Sequence, residues 1–74
     1  MSTHENLITT YEKYMIEADE MIKDAYATKI KPEYEEVDLL RGKLLAIRDI
    51  TSNEFIGKKA KEKADELAYM VTDL

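Results

Sequence analysis

The sequence predicts an all-α fold, a small antiparallel helical bundle, on three observations. Apolar residues recur at helical spacing in three successive segments. The single proline, Pro32, and a run of three poor helix formers, Thr51-Ser52-Asn53, stand between those segments. The first connection, Lys29-Ile30-Lys31, is so short that the first two helices must be antiparallel neighbours. Two arrangements satisfy the pattern. One has helices over about residues 3–29, 32–50 and 52–73; the other is a hairpin whose second helix runs unbroken from 32 to 73. Either makes residues 1–74 a single helical domain.

The first helix opens on a capping box, with Ser2 as N-cap and Glu5 at the third helical position. A 4-3-4-3 spacing then runs through Leu7, Tyr11, Tyr14, Ala18, Met21, Ala25 and Thr28, broadened by Ile8, Met15, Ile22 and Tyr26. Glu12, Lys13, Glu17, Glu20, Lys23 and Asp24 take the opposite face, with Ile16 the one large apolar residue among them. That is an amphipathic helix. Pro32 restricts Lys31 and should end it.

The central segment, residues 32–50, is the most apolar. Pro32 suits a first helical position, and Glu33, Glu35 and Glu36 load the first turn with the charge a helix N-terminus favours. Val37, Leu40, Leu44 and Ile47 fall on one stripe, and Leu39, Ala46 and Ile50 on a second beside it. An arc that wide calls for more than one neighbour, which makes this the central helix.

In the third segment Thr51 and Glu54 form a second capping box, and Ile50 with Phe55 sit where a hydrophobic staple would place them. Ile56, Ala60, Ala64, Leu67, Val71 and Leu74 define its stripe, flanked by Ala68 and Met70. A continuous helix from 32 would rotate this stripe well over 100° from the central arc; a break at 51–53 removes the conflict. The unbroken version would span about 60 Å and overhang the first helix. Gly42 and Gly57 lie inside helical patterns, and Gly57 joins Ala60, Ala64 and Ala68 in a small-residue strip that admits close approach of another helix.

A chain of 74 residues is near the size at which one core barely offsets chain entropy. It has no cysteine, so neither a disulfide nor a thiolate metal site can add stability. Association is the remaining common route. Sixteen acids against eleven bases give a net charge of −5, sufficient for solubility and too mild to argue polyanion mimicry alone. Residues 1–15 have neither a basic start nor an unbroken apolar run, and no stretch approaches the roughly 20 apolar residues of a membrane helix. The expected location is the cytoplasm, with no membrane partner.

Catalytic and metal chemistry find little footing. The single histidine, His4, has no serine at a useful helical spacing and no cysteine to pair with. No Glu-x-x-His motif or EF-hand loop occurs, and Glu33, Glu35, Glu36 and Asp38 surround a helix start instead of lining a face. No catalytic residue, cofactor site or metal site is therefore assigned. The run Lys58-Lys59-Ala60-Lys61-Glu62-Lys63 is basic, but Glu54, Glu62, Asp65 and Glu66 interrupt it and no groove-reading motif accompanies it. Nucleic acid is the third choice of partner. Glu17, Glu20 and Asp24 line the outer face of the first helix, a stripe that could meet an Arg/Lys-rich surface.

Residues off the main stripes point to another chain. Five tyrosines in 74 residues is a high load of an amphipathic, interface-favoured side chain. Tyr34, Arg41, Leu45 and Arg48 form a patch off the central arc, and Phe55 and Tyr69 lie on the polar side of the third helix. These six are the candidate protein-binding residues. Self-association is expected as well, a homodimer drawing on Tyr34, Leu45, Phe55, Tyr69 and the Gly57/Ala60/Ala64 strip.

Leu40-Arg-Gly-Lys-Leu-Leu-Ala-Ile-Arg-Asp-Ile50 resembles the helical cores of short accessory proteins encoded by tailed phages, and the size, Lys/Glu/Ile-rich composition and missing cysteine are similar too. The resemblance covers about a dozen residues and implies a class of gene, with no functional residue to carry over. The expected function is non-enzymatic: a protein-binding adaptor or inhibitor, acting on host or defence machinery if the resemblance holds. The alternative is a structural homo-oligomeric assembly or scaffold component.

Overall fold

The computed structural model describes residues 3–74, with side chains from residue 6 onward. It contains α1 (Thr3–Thr28), α2 (Tyr34–Ile50) and α3 (Glu54–Asp73), the three-helix arrangement rather than the long hairpin. The capping box at Ser2 and Glu5, and the side chain of His4, lie outside the described residues. At 1.5 Å per residue α1 is about 39 Å long, matching the 40 Å long axis of the molecule.

Each boundary has a local cause. Thr28 ends α1 and Lys29 takes the left-handed conformation, φ 61°, with its N–H donating to the Ala25 carbonyl at 2.8 Å. This is the αL stop usually made by glycine. The Thr28 hydroxyl assists, donating to the Asp24 carbonyl at 2.9 Å and accepting from the Ile30 N–H. Pro32 does not open α2. Glu33 is extended (ψ 138°) and is the N-cap, its carbonyl accepting from the Val37 N–H at 3.2 Å. The helix thus begins two residues after the proline, with Glu35 and Glu36 in its first turn.

The break between α2 and α3 corrects the second capping box. Thr51 is the C-cap of α2: its N–H donates to the Ile47 carbonyl at 2.9 Å, and its hydroxyl accepts from the Asn53 N–H at 3.1 Å. Asn53 is the N-cap of α3, and its side-chain oxygen accepts from the Ile56 N–H at 3.1 Å. Thr51 does not cap α3, because its backbone still serves the preceding helix. The staple fails with it, since Ile50 and Phe55 are 70% and 66% exposed.

The helices run with α1 and α3 parallel and α2 antiparallel to both. Lys63 meets Asp19 and Asp73 meets Tyr26, so residue numbers rise together along α1 and α3. Arg41 meets Ala64, and the Arg48 carbonyl faces Gly57, so they run in opposition along α2 and α3. The fully buried residues are Val37, Leu40, Leu44 and Ile47 of α2 and Ile56, Gly57, Ala60, Ala64, Leu67 and Met70 of α3. Among the described residues of α1 only Ala18 and Ala25 join them, ringed by half-buried Tyr11, Tyr14, Met15, Met21, Ile22 and Tyr26. The α1 stripe faces the core as expected, save that Thr28 is exposed.

Two packing expectations fail. The second stripe of α2 is outside: Leu39 and Ile50 are 62% and 70% exposed, and Ala46 is exposed with them. In a triangle of three helices both neighbours of α2 lie on the side of its first stripe. The Gly57/Ala60/Ala64 strip, expected at a dimer contact, is buried inside the chain. A Cβ on Gly57 would meet the Thr51 methyl at 3.4 Å and the Arg48 carbonyl at 3.6 Å. Small residues here let α3 approach the end of α2 closely.

Candidate functional site

The six candidate binding residues do not form one surface. Arg41 turns inward, its Nε donating to the Ala64 carbonyl at 3.0 Å, and acts as a clasp between α2 and α3. Leu45 is half-buried against the core. Arg48 is bonded to its neighbour Asp49 at 3.0 Å. Tyr34, 73% exposed, shares a cleft with Arg41, Val71 and Thr72 at the open end of the α2–α3 pair. Tyr69 lines a different groove on the other flank of α3, and Phe55 lies fourteen residues before it, under the Lys59 ammonium at 5.6 Å. The structure therefore brings Tyr34 and Arg41 together and separates Phe55 and Tyr69 from them.

The groove at Tyr69 runs between α1 and α3, with Ile22, Tyr26 and Tyr69 as its apolar walls and Glu62, Asp65 and Glu66 along its rim. The Tyr26 hydroxyl donates to Asp73 at 3.1 Å. Loss of water, and then the adjoining Asp73 carboxylate, raise the Tyr26 phenol above its ordinary range. Every rim carboxylate already has a lysine: Lys59–Glu62 at 3.8 Å, Lys61–Asp65 at 2.8 Å and Lys63–Glu66 at 2.8 Å. The hydrogen bond from Lys61 holds Asp65 below the usual carboxylate range against the effect of burial, with Arg41 and Arg48 adding to it. Lys63 is the most enclosed of these cations. Burial pushes its ammonium down, but hydrogen bonds to Asp19 (2.6 Å) and Glu66 outweigh that and leave it raised.

The same pairs change the reading of the basic run. Lys59, Lys61 and Lys63 are spoken for by carboxylates of the chain, so the run is a mixed-charge helix face. These pairs offset the local positive potential that a phosphate backbone needs.

A second groove follows the seam between α1 and α2. At its wide end it is bounded by Glu17, Glu20, Met21, Asp24, Pro32 and Glu36, and it continues past Leu39 to Lys43. Lys43 folds over the Tyr14 ring, 5.2 Å from its centroid. Sequence reasoning found the acidic stripe of α1 but assigned Leu39 to the interior and gave Ile30 no role; only their tertiary placement sets them beside that stripe.

Among the described residues no polar or charged side chain is buried, and no group of His, Asp and Glu is placed to hold a metal. No described helix is long and apolar enough to cross a membrane. The grooves present apolar area bordered by charge. Comparison with protein-family models, with curated proteins and with solved structures finds no match to this chain.

Proposed function

We propose that the chain is a non-enzymatic protein-binding module, an adaptor or inhibitor that acts by occupying a surface of another protein. One observation carries this reading. Ile16, Ile30, Tyr34, Leu39, Ile50, Phe55 and Tyr69 are each 58–73% exposed, on a molecule whose core is already closed by other residues. Apolar groups gathered along a groove are contact surface, and Ile30 and Leu39 line one such groove while Tyr34 and Tyr69 line others. The resemblance of residues 40–50 to phage accessory proteins directs the search toward host or defence machinery in the cytoplasm. A stable stoichiometric complex with one host protein supports the reading. Salt-sensitive binding to DNA or RNA with no protein partner refutes it.

The second reading is a homo-oligomeric assembly component, favoured by the spread of these residues over all three helices. It requires at least a dimer at micromolar concentration and a melting temperature that rises with protein concentration. Sedimentation equilibrium that holds at the 8.6 kDa monomer up to about 100 μM, far above a micromolar Kd, rejects it.

A further inference from the structure

We infer that the α1–α2 seam is the docking groove of this module and that its occupant is a Lys/Arg-rich amphipathic helix of another protein. The inference rests on the protein-binding reading and adds the place and the partner's chemistry. The floor of the seam is apolar: Met21 lies half-buried along it, Leu39 is 62% exposed at one end and Ile30 is 70% exposed at the other. Its borders are acidic. Glu17, Glu20 and Asp24 come from α1 and Glu36 from α2, and none of the four makes an ion pair with a described residue.

That last point separates the two grooves. The carboxylates around Tyr69 are each matched by a lysine of the same chain, so their charge is largely answered. In the seam the cations are Lys31 at the wide end and Lys43, which lies over Tyr14. The unanswered charge is negative, and it borders the surface that is apolar. A helix with an apolar row down its centre and lysines or arginines beside it meets both demands at once. The register fits: Glu17, Glu20 and Asp24 are spaced three and four apart, one stripe over about 10 Å, or two helical turns. Basic residues at the same spacing on a facing helix would reach them in turn.

The test uses the full chain and a synthetic peptide of about 18 residues, five helical turns, with leucines on one face and lysines and arginines on the other. A peptide with glutamates replacing the bases is the control. We expect the basic peptide to bind, to weaken with added salt, and to shift the Met21 and Leu39 methyl resonances of the wild-type protein. Leu39→Asp and the triple change Glu17→Lys, Glu20→Lys, Asp24→Lys should each lower affinity at least about tenfold, a change of roughly 1.4 kcal/mol. All four positions are partly or largely outside the core, and circular dichroism verifies that the variants fold. Tyr69→Asp should leave binding unchanged. Equal binding of the acidic peptide, insensitivity to both seam variants, or shifts confined to Ile22 and Tyr69 would overturn the assignment. So would a dimer of the chain that Leu39→Asp dissociates, because the occupant would then be a second copy. If wild type and Leu39→Asp capture the same host protein equally, the seam is wrong and the protein-binding reading stands. If nothing binds either protein or the peptide, both fall.

Discussion

Leu44 and Leu39 lie on the same helix, five residues apart, and their contrast tests the packing of the whole molecule. Leu44 is fully buried at the centre of the three-helix core, whereas Leu39 is 62% exposed. Leu44→Ala removes buried methyl groups and leaves a void in the core that rigid helices fill only in part, which costs about 2–5 kcal/mol. Total stability for a chain of this size is on the order of 4–11 kcal/mol. The substitution therefore removes about a fifth of it at the least and should lower Tm by roughly 8 °C or more. Leu39→Ala should stay within about 0.5 kcal/mol, since little area leaves the interior and alanine is the better helix former. Urea unfolding followed by far-UV circular dichroism measures both. A cost below about 0.5 kcal/mol for Leu44→Ala, or the reverse order of the two, would mean that the wrong stripe of α2 has been placed inward.

Three further outcomes are expected. Asn53→Ala should cost about 1 kcal/mol by removing the N-cap of α3, and more than Thr51→Ala, whose hydroxyl accepts one N–H in an exposed turn; equal effects in denaturation would restore Thr51 as the cap. Gly42→Ala should stabilise by roughly 1 kcal/mol, because a Cβ there meets nothing within 4 Å and glycine is the poorer helix former; a loss on thermal melting would mean another surface already covers that face. Tyr11 and Tyr26 are raised above 10.0 and Lys63 above 10.5: Tyr11 by loss of water against the pull of Lys63, Tyr26 by loss of water and then Asp73, Lys63 by its carboxylates against burial. A folded value above the unfolded one contributes stability that is complete below the unfolded value and lost as pH rises through the folded one. Stability should thus fall from about pH 10 upward; tyrosinate absorbance showing Tyr11 and Tyr26 at the free-phenol value in the folded protein would contradict this.

Much of the fold was readable because a helix stripe repeats every 3.6 residues whatever surrounds it. The stripes of α1, of Val37–Ile47 and of Ile56–Leu67 all face the core for that reason. Helix ends were read less well, since Pro32, Thr51 and Asn53 each suit a terminus and only backbone hydrogen bonding decides between them. The outward turn of Leu39, Ala46 and Ile50 was not readable at all: periodicity reports how wide an apolar arc is and is silent on how many helices cover it. The same gap limited the candidate site. Arg41 and Leu45 lie off the main stripe and read as surface, yet Arg41 bonds the α3 backbone and Leu45 packs half-buried against the core. The acidic stripe of α1 was visible in the sequence, but its meeting with Leu39 across the seam depends on the register of α1 against α2.

The uneven share of the helices in the core has a consequence for how such a protein can change. Among the described residues α1 inserts only Ala18 and Ala25 fully into the interior and meets the core otherwise through half-buried side chains, so the fully enclosed packing lies mainly between α2 and α3. Substitutions along the outer half of α1 can accumulate with little effect on folding, and those positions include Glu17, Glu20 and Asp24. The helix that borders the proposed groove is thus the one whose solvent face is freest to drift. If the proposed groove is the docking site, a lineage can alter its partner by rewriting one exposed face of α1 while the hairpin beneath it keeps its sequence.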